Sequence, residues 1–431
     1  MRTDVGKALG RFRLGLPIVN VDELNIRYDR IEKLRSHCDF LDQELAQLPN
    51  LSQAWAVVRM QSLWDDNSQQ LCAGLEKLAA INEYLEKHKV EIPIITASAI
   101  RDWYFEFKNN YYRTQWLKGQ NPFIHSVLVF IAQLDVAVTS ALVAARHGLC
   151  RPTLVKTVRN ESFMQVMGLR HLLVETQGNE YVPNDIVMGN RDYLDIPYPQ
   201  TVMLDPRLHD GAEINGVLLY GINSSGKSSL MKAIGIAVVL AQGGFFIPAK
   251  VMKFSPFEAL FTRILSRDNV VKSLSTFGVE MLELNTIFHK VTPKTLVLGD
   301  EISHGTETLS AVAIVASTIL ELVRKNPLFI LTTHLHQLSM VEDLTRLRNV
   351  VNLHLSVHYD EQSDCLIYDR VLRSGRGSSV YGLEFAQSLH MHEGFLANAK
   401  RIRENLAKEY DGLELRRQLK SPKAKSMYVR L

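Results

Sequence analysis

The stretch "GVLLYGINSSGKSSLMKAIG", residues 216–235, constrains the chain more than any other. An apolar, β-rich run stops at Gly221, a small polar loop follows, and an apolar helical pattern starts at Lys227. Gly221, Gly226, Lys227 and Ser228 meet the spacing G-x-x-x-x-G-K-[ST]. In such a loop the backbone N–H groups and the start of the next helix converge on an anion. Lys227 is then placed to reach the β- and γ-phosphates of a nucleotide, and Ser228 to bind Mg²⁺. The competing reading is a plain glycine-rich strand-to-helix turn. The strand before the loop and the helix after it favour the phosphate cradle.

Two further strand ends fit the same chemistry. "TLVLGDE" is an apolar strand closing on Asp300 and Glu301. A carboxylate there can hold Mg²⁺, and the next one can polarise an attacking water. "LFILTTHLHQL" places His334 at another strand end, where it can hydrogen-bond a γ-phosphate. Gln242, after the phosphate-loop helix, is a candidate for positioning water or metal.

The runs "GVLLY", "TLVLGD" and "LFILTTH" are nearly uninterrupted, as strands buried on both faces of a parallel sheet must be. Helical patterns such as "LSAVAIVASTILELVRK" separate them. Residues before about 170 read differently, as amphipathic helices. In "VDELNIRYDRIEKL" the apolar positions recur at helical spacing, with Asp22 as the expected N-cap. The aromatic and basic segment 101–118 reads as a helix or hairpin burying its rings, with base stacking as the alternative. The run "HSVLVFIAQLDVAVTSALVAA" carries Asp135 at its middle, so it reads as a buried helix and no membrane partner is expected.

A net charge of +3 gives no compositional case for nucleic acid, although the tail with Arg416, Arg417, Lys420, Lys423, Lys425 and Arg430 is basic. The four cysteines lie far apart, without a C-x-x-C pair. This argues against a zinc site or a disulfide framework and suits a reducing, intracellular, soluble setting.

Taken together, "GINSSGKSSLMKAIG", "LAQGGFFIPA", "LFTRILSRDN", "SLSTFGVEMLEL", "LVLGDEISHGTET" and "LTTHLHQL" resemble successive blocks of one family. It is the ATPase domain of the MutS DNA mismatch-repair proteins, within the ABC-type ATPases. "YVPNDIVM" and "SSVYGLEFAQ" resemble flanking segments, and "RFRLGLPIVNVDELNIRYDRIEKL" is similar to the start of the MutS core. The resemblance implies an α/β P-loop (ABC-type) ATPase domain over 166–400. An all-α core or lever-like helical domain over 1–165 precedes it, and a C-terminal helix and basic tail over 401–431 follows. It implies ATP and Mg²⁺ as cofactors, with Gly221, Ile222, Asn223, Ser224, Ser225, Gly226, Lys227, Ser228 and Ser229 around the phosphates and Tyr181 and Val182 against adenine. It also implies that Ser275 completes the site of a partner subunit, in a homodimer or a heterodimer with a MutS-like chain.

The resemblance has gaps. The family's mismatch-reading Phe-x-Glu domain has no counterpart, and too few residues separate the core-like helices for full levers and a DNA clamp. A shortened form is therefore expected. Gly278 alters the signature block, and His304 replaces a position often basic in relatives. The expected function is an ATP-hydrolysing, nucleotide-switched dimer on DNA, in mismatch repair, recombination or related DNA maintenance. The alternative is a nucleotide-gated module on the ribosome or structured RNA.

Overall fold

The computed structural model describes residues 1–61, 65–90, 92, 95–110, 119–157, 161–190, 193, 213–222, 225–263, 276–303, 306–360, 365–377, 382–389 and 391–405. Segment 111–118 and the basic tail from 406 onward lie outside them.

The first part of the chain is helical: α1 (Asp4–Gly15), α2 (Val21–Leu34), α3 (Cys38–Ala46), α4 (Leu51–Gln61), α5 (Asp66–Lys87), α6 (Ala97–Asn110) and α7 (Asn121–His147). Leu24, Tyr28, Ile31 and Leu34 form the buried stripe of α2. The cap of α2 is Asn20, whose side chain accepts from the Glu23 N–H, rather than Asp22. Asp22 falls in the first helical turn, where its charge still complements the helix dipole. In α6, Trp103 and Phe107 are buried while Phe105 is exposed. Trp103 stacks on Phe107 and Phe123, and the described aromatics of this segment mostly pack rather than face solvent. Pro122 sits in the first turn of α7, where the missing N–H costs nothing, so it starts a helix instead of ending one.

Helix α7 is long and apolar enough to cross a bilayer, but it is the centre of the helical core, packing on α1, α2 and α3. Its Asp135 is fully buried and hydrogen-bonded. The carboxylate accepts the Arg2 N–H (3.0 Å), the Thr3 N–H (2.7 Å) and the Thr3 hydroxyl (2.8 Å). Gly6 permits this approach, since a Cβ there would collide with the Asp135 carboxylate.

From residue 153 the chain builds two sheets. The smaller contains β1 (Thr153–Leu154), β2 (Met164–Leu169), β3 (Asn184–Met188) and β5 (Val251–Phe254), in the order β1-β5-β2-β3. The larger contains β4 (Gly216–Tyr220), β6 (Ala259–Arg263), β7 (Thr295–Asp300), β8 (Leu328–Thr333), β9 (Val350–Asp360) and β10 (Cys365–Ser374). Its order is β10-β9-β4-β8-β7-β6, parallel throughout except for the β9–β10 hairpin. Between the strands run α8 (Leu172–Glu175), α9 (Lys227–Gly243), α10 (Thr276–Lys290), α11 (Thr308–Lys325), a 3₁₀ turn (His336–Met340) and α12 (Glu342–Thr345). After the sheet come α13 (Gly382–Ser388) and a helix over 393–405.

Alternate residues of the large sheet enter different cores. Val217, Leu219, Leu296, Leu298 and Ile330 pack with α9 and the small sheet. Leu218, Tyr220, Val297, Phe329 and Leu331 pack with α10 and α11. Both faces are covered, so the period-2 alternation of a half-exposed strand disappears and the sequence reads as solid apolar runs.

Candidate functional site

The order β4-β8-β7 sets the carboxyl ends of three parallel strands side by side. Register aligns Tyr220 with Thr333 and Asp300 with Thr332. Everything that follows these strand ends therefore gathers at one edge of the sheet, where open parallel sheets bind ligands.

Beyond β4 the chain turns through Gly221, at φ +151°, and enters α9 at Gly226, at φ +107°. Both values lie where residues with a Cβ are disfavoured. Gly221 also faces Ser225 closely, since a Cβ would lie 2.8 Å from its Oγ. Asn223 and Ser224 lie outside the described residues. The first N–H groups of α9 have no carbonyl four residues earlier in the helix, which leaves them for an anion.

Lys227 is buried and turned back over the loop. Its Nζ donates to the Gly221 carbonyl at 2.7 Å and the Ile222 carbonyl at 3.1 Å, and stands 3.6 Å from Glu301 Oε1. Burial pushes the ammonium below the usual lysine value, and Glu301 and Asp300 oppose that shift. Ser228 follows, half-buried, on the first turn of α9.

Asp300 ends β7 buried and accepts a hydrogen bond from the Thr332 hydroxyl on the neighbouring strand. The Glu301 N–H donates to the Thr332 carbonyl (3.2 Å) and to its Oγ1 (3.1 Å). Glu301 holds φ +47°, a conformation disfavoured for a residue with a side chain and commonest at functional sites. Gly299 makes room for the turn, because a Cβ on it would lie 2.9 Å from the Ile302 side chain. His334, one residue beyond β8, is exposed at the same edge. His336 packs against Tyr220 with ring centroids 5.4 Å apart.

Beside the loop lies a cavity of about 120 Å³. Tyr181 and Val182 form one wall, Ser225, Gly226 and Ser229 another, and Leu355 and Arg370 of the β9–β10 hairpin close it. Sequence reading brings Tyr181 and Val182 here but misses Arg370 and Asn184. Asn184 donates from Nδ2 to the Val182 carbonyl (3.1 Å) and the Arg370 carbonyl (3.0 Å), while its Oδ1 accepts the Leu372 N–H at 2.6 Å. It fastens the two walls together. Asn184 lies inside "YVPNDIVM", where a polar residue opening an apolar strand is the available signal. Nothing in the spacing marks Arg370.

Gln242 is a correction. Its amide is consumed by backbone: Nε2 donates to the Ile18 carbonyl (3.2 Å) and the Phe257 carbonyl (2.9 Å), and Oε1 accepts the Phe257 N–H (2.9 Å). It sits at the far end of α9 from the loop, and joins segments instead of meeting a nucleotide. Ser275 and His304 lie outside the described residues.

A nucleotide fits these residues. The Ser225 hydroxyl is buried beside the cavity with no hydrogen-bond partner among the described residues, the kind of orphan a ligand atom satisfies. Among the described residues no group of three or more His, Cys, Asp or Glu could hold a metal ion. A phosphate-bound Mg²⁺ needs fewer protein ligands than that, since it keeps waters and phosphate oxygens.

Residues 217–407 match the family model for MutS domain V. The chain is 34% identical over 345 residues to the mutS homolog L359 of Acanthamoeba polyphaga mimivirus, covering 75% of this chain and 30% of that protein. It is 36% identical to the mitochondrial DNA mismatch repair protein mutS homolog of Sarcophyton glaucum, over 63% of this chain and 25% of the relative. It is 31% identical to the DNA mismatch repair protein MutS of Cytophaga hutchinsonii, over 65% and 30%. The matches thus cover between 25% and 30% of these relatives' length. The chain carries a MutS domain V at residues 217–407, and it is similar to these MutS proteins over 63–75% of its length.

Proposed function

We propose that the chain binds and hydrolyses ATP with Mg²⁺ and uses the cycle as a switch on DNA, as a dimer, in mismatch repair or related DNA maintenance. The observation that carries this reading is Lys227, buried between its own loop carbonyls and Glu301 at the edge where β4, β8 and β7 end. The names of the relatives support the DNA-repair part. The proposed architecture is a P-loop, ABC-type ATPase domain over 166–400, a core or lever-like domain over 1–165, and a C-terminal helix and tail over 401–431. The 1–165 part is helical only as far as His147, since β1 and the start of β2 already join the small sheet. Its proposed setting is soluble and intracellular.

In this reading the N–H groups at the start of α9 hold the phosphates, with Ile222, Asn223, Ser224, Ser225 and Ser229 lining the loop. Lys227 exchanges its loop carbonyls for phosphate oxygens and offsets charge that develops there. Mg²⁺ bound with the nucleotide supplies further charge neutralisation, and Ser228 and Asp300 are the residues that would hold it. Glu301 takes the proton of the attacking water, and His334 donates to the γ-phosphate. Tyr181, Val182 and Arg370 contact the base. Ser275 of each subunit completes the other subunit's site.

ATPase assays on the purified chain, alone and with homoduplex, mismatched or branched DNA or ribosomes, test the reading. Lys227→Ala is expected to lose ATP binding, and Glu301→Gln to bind ATP without turning it over. Normal turnover by Glu301→Gln sinks the role given to Glu301. Stimulation by ribosomes and by no DNA overturns the choice of partner.

A further inference from the structure

Glu280, on α10, is only 5% exposed. Its Oε1 accepts the backbone N–H of Ser303 at 2.8 Å, a bond buried within the protein. Ser303 is itself 2% exposed and holds φ +66°, two residues after Glu301 at φ +47°. Two side-chain-bearing residues in the left-handed region within three positions relax unless their surroundings hold them.

Three groups hold this turn. On one side Thr332 accepts the Glu301 N–H through both of its oxygens. In the middle, Ile302 is buried and folds back over Gly299. On the far side Glu280 grips Ser303. A buried backbone N–H left without its acceptor carries a desolvation cost, so the Ser303 N–H depends on this bond. The strand pairing of β7 with β8 ends at Asp300 and Thr332, so beyond it the Glu280 bond ties the turn to a helix rather than to the sheet.

We infer that Glu280 is a positioning residue: it locks the 301–303 turn so that the Glu301 carboxylate stays aimed at Lys227 and the phosphate loop. The inference rests on reading Glu301 as the group that activates water. Glu280 touches neither nucleotide nor water in this scheme. Its effect therefore falls on kcat and spares nucleotide affinity.

The test uses the full chain with Glu280→Ala, Glu280→Gln and Glu301→Gln. Steady-state ATP hydrolysis, equilibrium binding of ATP and deuterium exchange of the peptide containing Ser303 are read for each. Glu280→Ala is expected to lose about tenfold or more in kcat, as leaving the buried Ser303 N–H unsatisfied would, with ATP affinity within about threefold. Its Ser303 peptide should exchange faster. Glu280→Gln retains an acceptor and folds in the same space, so it should restore most of kcat and of the protection. A merely structural role would move affinity and kcat together. If Glu301→Gln is inactive while Glu280→Ala turns over like the wild type, this inference falls and the reading of Glu301 stands. If Glu301→Gln turns over normally, that reading falls and takes the inference with it.

Discussion

The phenol of Tyr28 donates a 2.7 Å hydrogen bond to the carbonyl of Ala241, tying α2 of the helical half to the last turn of the phosphate-loop helix. Arg27 donates to the Gly243 carbonyl at 3.0 Å, and the Ile18 N–H donates to the Gln242 carbonyl at 2.9 Å. The last carbonyls of a helix lack the usual partner four residues on; Ala241 also accepts the Gly244 N–H at 2.9 Å, and the helical half adds donors to Ala241, Gln242 and Gly243. One rod of 17 residues, about 26 Å long, thus carries the phosphate loop at one end and the helical half at the other.

Replacing Tyr28 with Phe keeps the packing and removes the donor. The Tyr28 ring is fully buried, and burial pushes its hydroxyl far above the usual phenol range. The Ala241 carbonyl would lose a partner that water cannot readily replace. We expect a loss of about 1–2 kcal/mol in stability. It should be read as a lower denaturant midpoint with an unchanged slope.

Gly226→Ala separates conformation from crowding. A Cβ at Gly226 would meet only the Leu355 side chain, at 3.5 Å, which is ordinary contact. The φ of +107° is the difficulty. The expected cost is about 1–3 kcal/mol, as strain or as a reshaped loop that binds ATP more weakly. Thermal denaturation with and without ATP distinguishes the two, since a reshaped loop gains less from the ligand.

These relationships show what could be read in advance and what could not. The apolar runs ending at Tyr220, Asp300 and Thr333 announce buried parallel strands, because a strand covered on both faces has no solvent face to set a polar alternation. The phosphate loop is local, so its spacing carries its chemistry. Asn20 and Asp22 are both good caps, and tertiary entry of the chain into α2 decides between them. Gln242 looked eligible for the site because helix sequence does not reveal which end of α9 faces which neighbour. Arg370 and Tyr181 meet only through the β9–β10 hairpin and the clasp of Asn184, a long-range pairing with no sequence period.

His336 gives the structure an acid-sensitive point. Burial lowers its pKa below the ordinary 6.5, and the charges of Arg376 and His334 lower it further. The unfolded chain therefore binds a proton at His336 more readily than the folded one. The resulting penalty is absent above 6.5 and grows as pH falls from 6.5 toward the lowered folded value. His336→Gln removes the titration. The drop in melting temperature between about pH 7.5 and about pH 5.5 should be smaller in the variant than in the wild type. An equal drop would assign the acid sensitivity elsewhere.

Asn184→Ala tests the cavity as a nucleotide site. The substitution strips hydrogen bonds from the Val182 carbonyl, the Arg370 carbonyl and the Leu372 N–H together. Asn184 is buried, so the expected cost is about 3 kcal/mol or more. Asn184→Asp keeps the acceptor for Leu372 but sets a carboxylate against two carbonyl oxygens, and it should be no better. Both variants free the wall carrying Tyr181 and Val182 from the wall carrying Arg370. ATP affinity should fall about tenfold or more while the phosphate loop itself is untouched. Inorganic triphosphate, which has no base to seat in the cavity, should bind the variants and the wild type alike. If ATP and triphosphate weaken equally, the cavity is not where the base sits, and the damage has reached the loop instead.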